Sequence, residues 1–157
     1  MVYNNKKTVT IVSWIGVIIW MSLIFYLSSQ QATQSAQLST GITEKIINII
    51  QKYIPNYNVD ILSFNSIIRK NAHLIAYFIL GVLLINAISR NRIIGFKAYA
   101  LALLICILYA ISDEIHQLYV PGRSGEIRDV LIDSIGSSIG ISIFALIKKI
   151  KLKSSLN

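Results

Sequence analysis

From residue 112 to residue 136 the chain reads SDEIHQLYVPGRSGEIRDVLIDSIG, which places Asp113, Glu114, His116, Gln117, Arg123, Arg128, Asp129 and Asp133 in one short stretch. Carboxylates and imidazoles carry protons in acid–base catalysis, and guanidinium forks fit phosphate or carboxylate anions. Apolar runs flank the stretch on both sides. Ionisable groups at a membrane edge are costly unless they pair, meet water or bind something, so chemistry is expected here. A second set lies upstream, where Arg69, His73 and Tyr77 are spaced i, i+4, i+8 on one helical face and Lys70 precedes His73 by three. Downstream, Asp113, His116 and Gln117 share a face, with Glu114 turned about 100° away. Asp129, Asp133, Gly136 and Gly140 make a further stripe, whose small residues permit close helix contact in lipid.

These groups need elements to hold them at one depth. The 157-residue chain is 54% hydrophobic and 14% charged, with a mean hydropathy of +0.61. That is too much apolar surface for one soluble core of this size, so a membrane protein is expected. A crossing helix needs about 20 mostly apolar residues. Residues 9–27, 72–88, 98–116 and 130–147 meet the requirement, which predicts an all-α bundle of four transmembrane helices in one domain over 1–157. The first run is longer than a signal-peptide core, so we read it as a span. At about 1.5 Å of rise per residue, His73, Asp113 and Asp133 then fall near one depth.

Charge sets the expected orientation. Lys6, Lys7, Arg90, Arg92, Lys97, Lys148, Lys149, Lys151 and Lys153 fall on one side without any acid. All seven acids fall on the other, with the remaining six of the 15 basic residues. The positive-inside rule puts both termini in the cytoplasm and the polar groups at the extracytoplasmic face. The net charge of +8 is thereby explained by topology, and no nucleic-acid module is present to make nucleic acid a partner. The lone Cys106 lies in an apolar run and forms no intrachain disulfide.

The first extracytoplasmic connection, residues 28–69, is long. Its first part, 28–40, is rich in Ser, Gln and Thr, with Ser28, Ser29, Gln30 and Gln31 following span one. From Ile42, apolar residues recur at Ile46, Ile49, Ile50 and Tyr53, which predicts an amphipathic helix stopped by Pro55. Such a helix lies either on the outer leaflet or over the bundle mouth. Val120-Pro121-Gly122-Arg123 predicts a type II turn, with Pro121 pre-setting φ and Gly122 supplying the positive φ.

Three readings of the polar groups stay open. Arg69 or Arg123 pairs internally with Asp129 or Asp133 and sets helix register. Alternatively Arg69, Lys70, Arg123 and Arg128 hold an anionic ligand, in a site completed by Tyr77, His116, Gln117, Asp129 and Asp133. In the third, His73, Asp113 or Glu114 performs acid–base or nucleophilic chemistry on a lipid-linked substrate. A metal set of His73, His116 and Asp113 is a narrower form of the third; no H-E-x-x-H spacing supports it, and no metal or cofactor is expected.

Three pieces in order resemble the VanZ-like family of small bacterial membrane proteins. They are Ser28-Ser29-Gln30, then Arg69-Lys70-x-x-His73-x-x-x-Tyr77-x-x-Leu80-Gly81, then Asp113-Glu114-x-x-Gln117 through Pro121-Gly122-Arg123 to Asp129 and Gly136. The last is specific in residues and spacing. The resemblance implies an accessory role in glycopeptide resistance, because the founding member lowers susceptibility to teicoplanin, a lipid-tailed antibiotic acting on cell-wall precursors. The outer-face polar groups fit an anionic envelope lipid, a lipid-linked wall precursor or the glycopeptide itself as partners, besides the bilayer. The family also uses Asn at the position of Asp133, which argues against Asp133 as a nucleophile.

Overall fold

Long apolar stretches without internal proline propagate as helix until a breaker or a polar turn intervenes. In the computed structural model, which describes residues 2–53 and 61–154, this yields α1 (Val2–Ser28), α2 (Ala32–Tyr53), α3 (Ile61–Arg90), α4 (Phe96–Gln117) and α5 (Ile127–Ser154). No strand occurs among the described residues. Lys6–Ser28, Phe64–Arg90, Phe96–Gln117 and Ile127–Lys151 are long and apolar enough to cross a membrane. Each overruns its expected bounds, because helical hydrogen bonding continues into the polar flanks.

The lipid-type exterior is explicit. Ile11, Ile18, Ile19, Leu108, Leu131 and Leu146 are exposed on these helices. A soluble protein rarely tolerates so extensive an apolar surface, and acyl chains satisfy it. The chain is a multi-pass membrane protein.

The helix α3 is central and touches all four others, α5 most extensively. In lipid, helices gain little from apolar burial alone and need close packing or interhelical hydrogen bonds. Both devices are used. A Cβ at Gly136 would strike the Leu74 carbonyl, one at Gly140 the Phe78 carbonyl, and one at Gly81 would lie 2.6 Å from the Ser137 carbonyl. The expected Gly136–Gly140 stripe therefore faces the bundle, against α3. On α4, Ala98, Ala102, Cys106 and Ala110 repeat every fourth residue and are buried with Leu80, Leu84, Ile85 and Ile88 of α3. The hydrogen bonds tie in α1: the Trp20 indole N–H donates to the Ala76 carbonyl (2.9 Å), and the Tyr109 hydroxyl donates to the Met21 carbonyl (2.5 Å).

The helix α2 departs from expectation at its start. It begins at Ala32, ten residues before Ile42, so most of the Ser/Gln/Thr-rich segment is helical. No Gly or Pro interrupts residues 32–40 to break it. The stop assigned to Pro55 lies outside the described residues. The helix packs against α3 through a polar knot that pattern reading missed: the Thr43 hydroxyl donates to Asn65 Oδ1, and Asn65 Nδ2 donates to Thr40 Oγ1 (2.9 Å). Residue 65 is itself helical, because α3 begins at Ile61, earlier than the span at 72 implies.

Overpacking this interface should be costly. Gly136→Ala and Gly140→Ala are each expected to lower stability by about 1–3 kcal/mol, measured by denaturant unfolding in detergent micelles. Gly16→Ala, whose methyl meets nothing within 4 Å, leaves stability unchanged or slightly raised. Equal stability in all three variants would contradict the close α3–α5 approach.

Candidate functional site

The polar groups collect where α1 and α4 end and α3 and α5 begin. Contacts of Gly136 with Leu74 and of Gly140 with Phe78 run in the same direction along both helices, so α3 and α5 are parallel. Continuing that register toward their N-termini brings Asp133 to His73 and Asp129 to Lys70. His73 Nδ1 lies 3.7 Å from Asp133 Oδ2, and Lys70 Nζ lies 3.8 Å from Asp129 Oδ1 and from Glu126 Oε2.

The turn after α4 forms as its residues dictate. Gly122 has φ 77°, and the Arg123 N–H donates to the Val120 carbonyl at 3.1 Å. This latches onto the α1–α2 connection, because Arg123 Nε donates to the Gln30 carbonyl (3.2 Å) and the Ala32 N–H reaches the Pro121 carbonyl (3.4 Å). Burial draws the Arg123 pKa below its ordinary value and the nearby Arg69 charge adds to this, while the carboxylates of Asp113, Glu114 and Asp129 oppose it. Arginine remains cationic at neutral pH under such a balance.

Gln117 organises the end of α4. Its Nε2 donates to Asp113 Oδ2 (3.3 Å) and Glu114 Oε1 (3.2 Å), and its Oε1 accepts from Arg123 Nη1 (3.5 Å). The other Glu114 oxygen accepts the Glu126 backbone N–H at 2.8 Å. Glu114 is thus committed to the start of α5, where free amides and the helix dipole favour a carboxylate.

Burial sorts the remaining groups. Asp133 is 0% exposed and Asp113 2%; both oxygens of Asp133 and Oδ1 of Asp113 have no hydrogen-bond partner. The Tyr77 hydroxyl and Ser28 Oγ are buried in the same condition. Ligand atoms of His73, Asp113 and Asp133 all lie within 4.8 Å of one another. His116 is not in this group. Its ring stacks on Phe25 with centroids 4.4 Å apart. Arg128 is exposed and lines no part of the cleft described next.

A cleft of about 250 Å³ opens beside these residues between α1, α2 and α3. Ile24, Leu27, Ile42, Ile68, Ala72 and Ala76 supply an apolar wall, and Ser28, Gln30, Arg69, His73 and Arg123 its polar end. Neither Arg69 nor Arg123 has a carboxylate oxygen within 4.0 Å among the described residues. The internal pairs expected between these arginines and Asp129 or Asp133 are not made, because Lys70 and His73 occupy those aspartates. Sequence reasoning had only helical spacing to choose among Arg69, Lys70 and His73, and neighbouring residues on one turn are not separable by it.

Four membrane-length helices around a polar cluster at one end define an integral membrane protein with a candidate site at the bundle end. The VanZ/LLP1 family model matches residues 13–148, and the chain belongs to that family. Comparison with curated proteins and with solved structures yields no match.

The capping role of Glu114 is directly measurable. In Glu114→Ala the Glu126 amide loses its charged acceptor, and hydrogen exchange at the start of α5 should report opening made easier by about 1–3 kcal/mol. Unchanged protection would show that the contact is incidental.

Proposed function

We propose that this VanZ/LLP1-family protein holds the anionic head group of a cell-envelope lipid in the cleft between α1, α2 and α3. The observation that carries this reading is the pair of arginines. Arg69 and Arg123 line one cleft, stand close enough to oppose each other's charge, and have no carboxylate within 4.0 Å. A phosphate or carboxylate between two guanidinium forks relieves that repulsion and accepts several charge-assisted hydrogen bonds. The apolar wall supports the same reading, because a head group enters such a site with the first carbons of its tail.

Charge supports an extracytoplasmic position. Lys6, Lys7, Arg90 and Arg92 gather around a separate cleft at the opposite end of the bundle. The positive-inside rule assigns that end to the cytoplasm and the Arg69–Arg123 cleft to the outer leaflet. Lipid-linked wall precursors and lipid-tailed glycopeptides meet there. Capture of either one changes teicoplanin susceptibility, in keeping with the family resemblance.

A second reading has its own support. His73 lines the cleft with Asp133 behind it, an arrangement in which a carboxylate orients an imidazole for proton transfer. An enzyme of this kind converts the bound lipid, and lipid profiling of expressing cells distinguishes it from a binding protein by a new lipid species.

Native mass spectrometry of the detergent-purified protein tests the main reading with polyprenyl phosphate, phosphatidylglycerol and neutral polyprenol. The anionic amphiphiles should bind, the neutral one should not, and Arg69→Ala or Arg123→Ala should each weaken binding about tenfold or more. Equal retention of polyprenol, or full binding by both variants, contradicts it. In a sensitive Gram-positive host at matched membrane abundance, wild type should raise the teicoplanin inhibitory concentration and Arg123→Ala should not.

A further inference from the structure

We infer that His73, Asp113 and Asp133 form a divalent transition-metal site, of the kind that takes Zn²⁺ or Mn²⁺, inside the α3–α4–α5 end of the bundle. The three come from three different helices, yet their ligand atoms lie within 4.8 Å of one another. Asp133 replaces His116 in the set that sequence spacing alone picks out, and the expectation of no metal is revised on this geometry.

Charge makes the first argument. Two carboxylates, 0% and 2% exposed, face one imidazole. With both aspartates ionised, as metal ligation requires, the group carries a net negative charge even if His73 is protonated. No lysine or arginine nitrogen lies within 4.0 Å of Asp113 or Asp133 among the described residues. Arg123 acts on Asp113 only from a distance, and Lys70 is engaged by Glu126 and Asp129. Buried charges are normally paired or coordinate a metal, and a dication neutralises both aspartates at once.

Hydrogen bonding makes the second. Both oxygens of Asp133 and one of Asp113 have no hydrogen-bond partner, which buried carboxylates avoid. The Tyr77 hydroxyl, one turn along α3 from His73 and within electrostatic range of both aspartates, is also buried and unpartnered. A phenol there donates to a ligating carboxylate oxygen, the outer-shell contact that fixes carboxylates at metal sites.

One imidazole nitrogen and two carboxylate oxygens suit Zn²⁺ or Mn²⁺ better than Ca²⁺ or Mg²⁺. Metal–ligand lengths of about 2.0–2.2 Å require the triad to contract by about 1 Å from its present spread. Three protein ligands leave positions open. His73 lines the cleft, so a phosphate oxygen bound there has a route to the ion. The metal site does not depend on the head-group reading, because the triad is complete without a ligand.

The test uses the full chain, purified with a non-histidine tag, stripped with chelator and given Zn²⁺ or Mn²⁺ alone. Mass-spectrometric metal analysis should find about one equivalent per chain, and metal should raise the melting temperature. His73→Gln, Asp113→Asn and Asp133→Asn should each lose more than the roughly 10–100-fold in affinity typical of outer-shell changes, whereas Glu126→Gln should bind as wild type does. X-ray absorption of the zinc-loaded wild type, which needs no variant, should show one imidazole in a nitrogen/oxygen shell. No retained metal, undiminished retention in all three variants, or a shell without imidazole would overturn the site. Lipid binding by the stripped protein keeps the head-group reading separate from this one.

Discussion

The arrangement of the polar end follows from how closely α5 lies against α3. The backbones meet at Gly136 and Gly140, where no Cβ fits against the Leu74 and Phe78 carbonyls. With side chains removed, the parallel register is set by backbone contact and cannot slide without opening a void or a clash. One turn toward the N-termini, the same register delivers Asp133 to His73, and a turn beyond that Asp129 to Lys70. The third helix, α4, is brought in by its Ala98–Ala102–Cys106–Ala110 face, which ends at Asp113. The glycines and alanines therefore decide which charged groups meet in a medium that makes such meetings costly.

The charges at this end divide into satisfied and unsatisfied sets. Glu114 is spent on the α5 amide, Gln117 on two carboxylates and Arg123, and Lys70 on two acids. These contacts fix the loop and the start of α5. What remains is a pair of arginines without carboxylates on the cleft side and, on the bundle side, both oxygens of Asp133 and one of Asp113 without hydrogen-bond donors, with His73 between them. In the proposed reading the first set meets an anion and the second a cation, with His73 between them.

Much of this was legible in the sequence. Apolar run length is a direct readout of bilayer thickness, so four spans were expected and four membrane-length helices are present. The Pro-Gly turn and the glycine stripe are local consequences of residue type, and both appear in the structure. Less was readable where the answer depends on a neighbour. Helical spacing groups Asp113 with His116 and Gln117, but it is the Phe25 ring on α1 that takes His116 away and the α5 amide that draws Glu114 in. The start of α2 at Ala32 was hidden because polar residues without periodicity carry no helix signal, although nothing among them breaks a helix. The Thr40–Thr43–Asn65 knot depends on a contact between helices that no local pattern encodes.

The central claim is that Arg69 and Arg123 share one anion. The most direct measurement is nitrogen–phosphorus distance by solid-state magnetic resonance, on guanidinium-labelled protein in bilayers containing polyprenyl phosphate. One phosphorus site should lie within about 4 Å of both guanidinium groups, as charge-assisted hydrogen bonding requires. Phosphorus contacts confined to Lys6, Lys7, Arg90 or Arg92 at the opposite end, or no contact at Arg69 and Arg123, would contradict it.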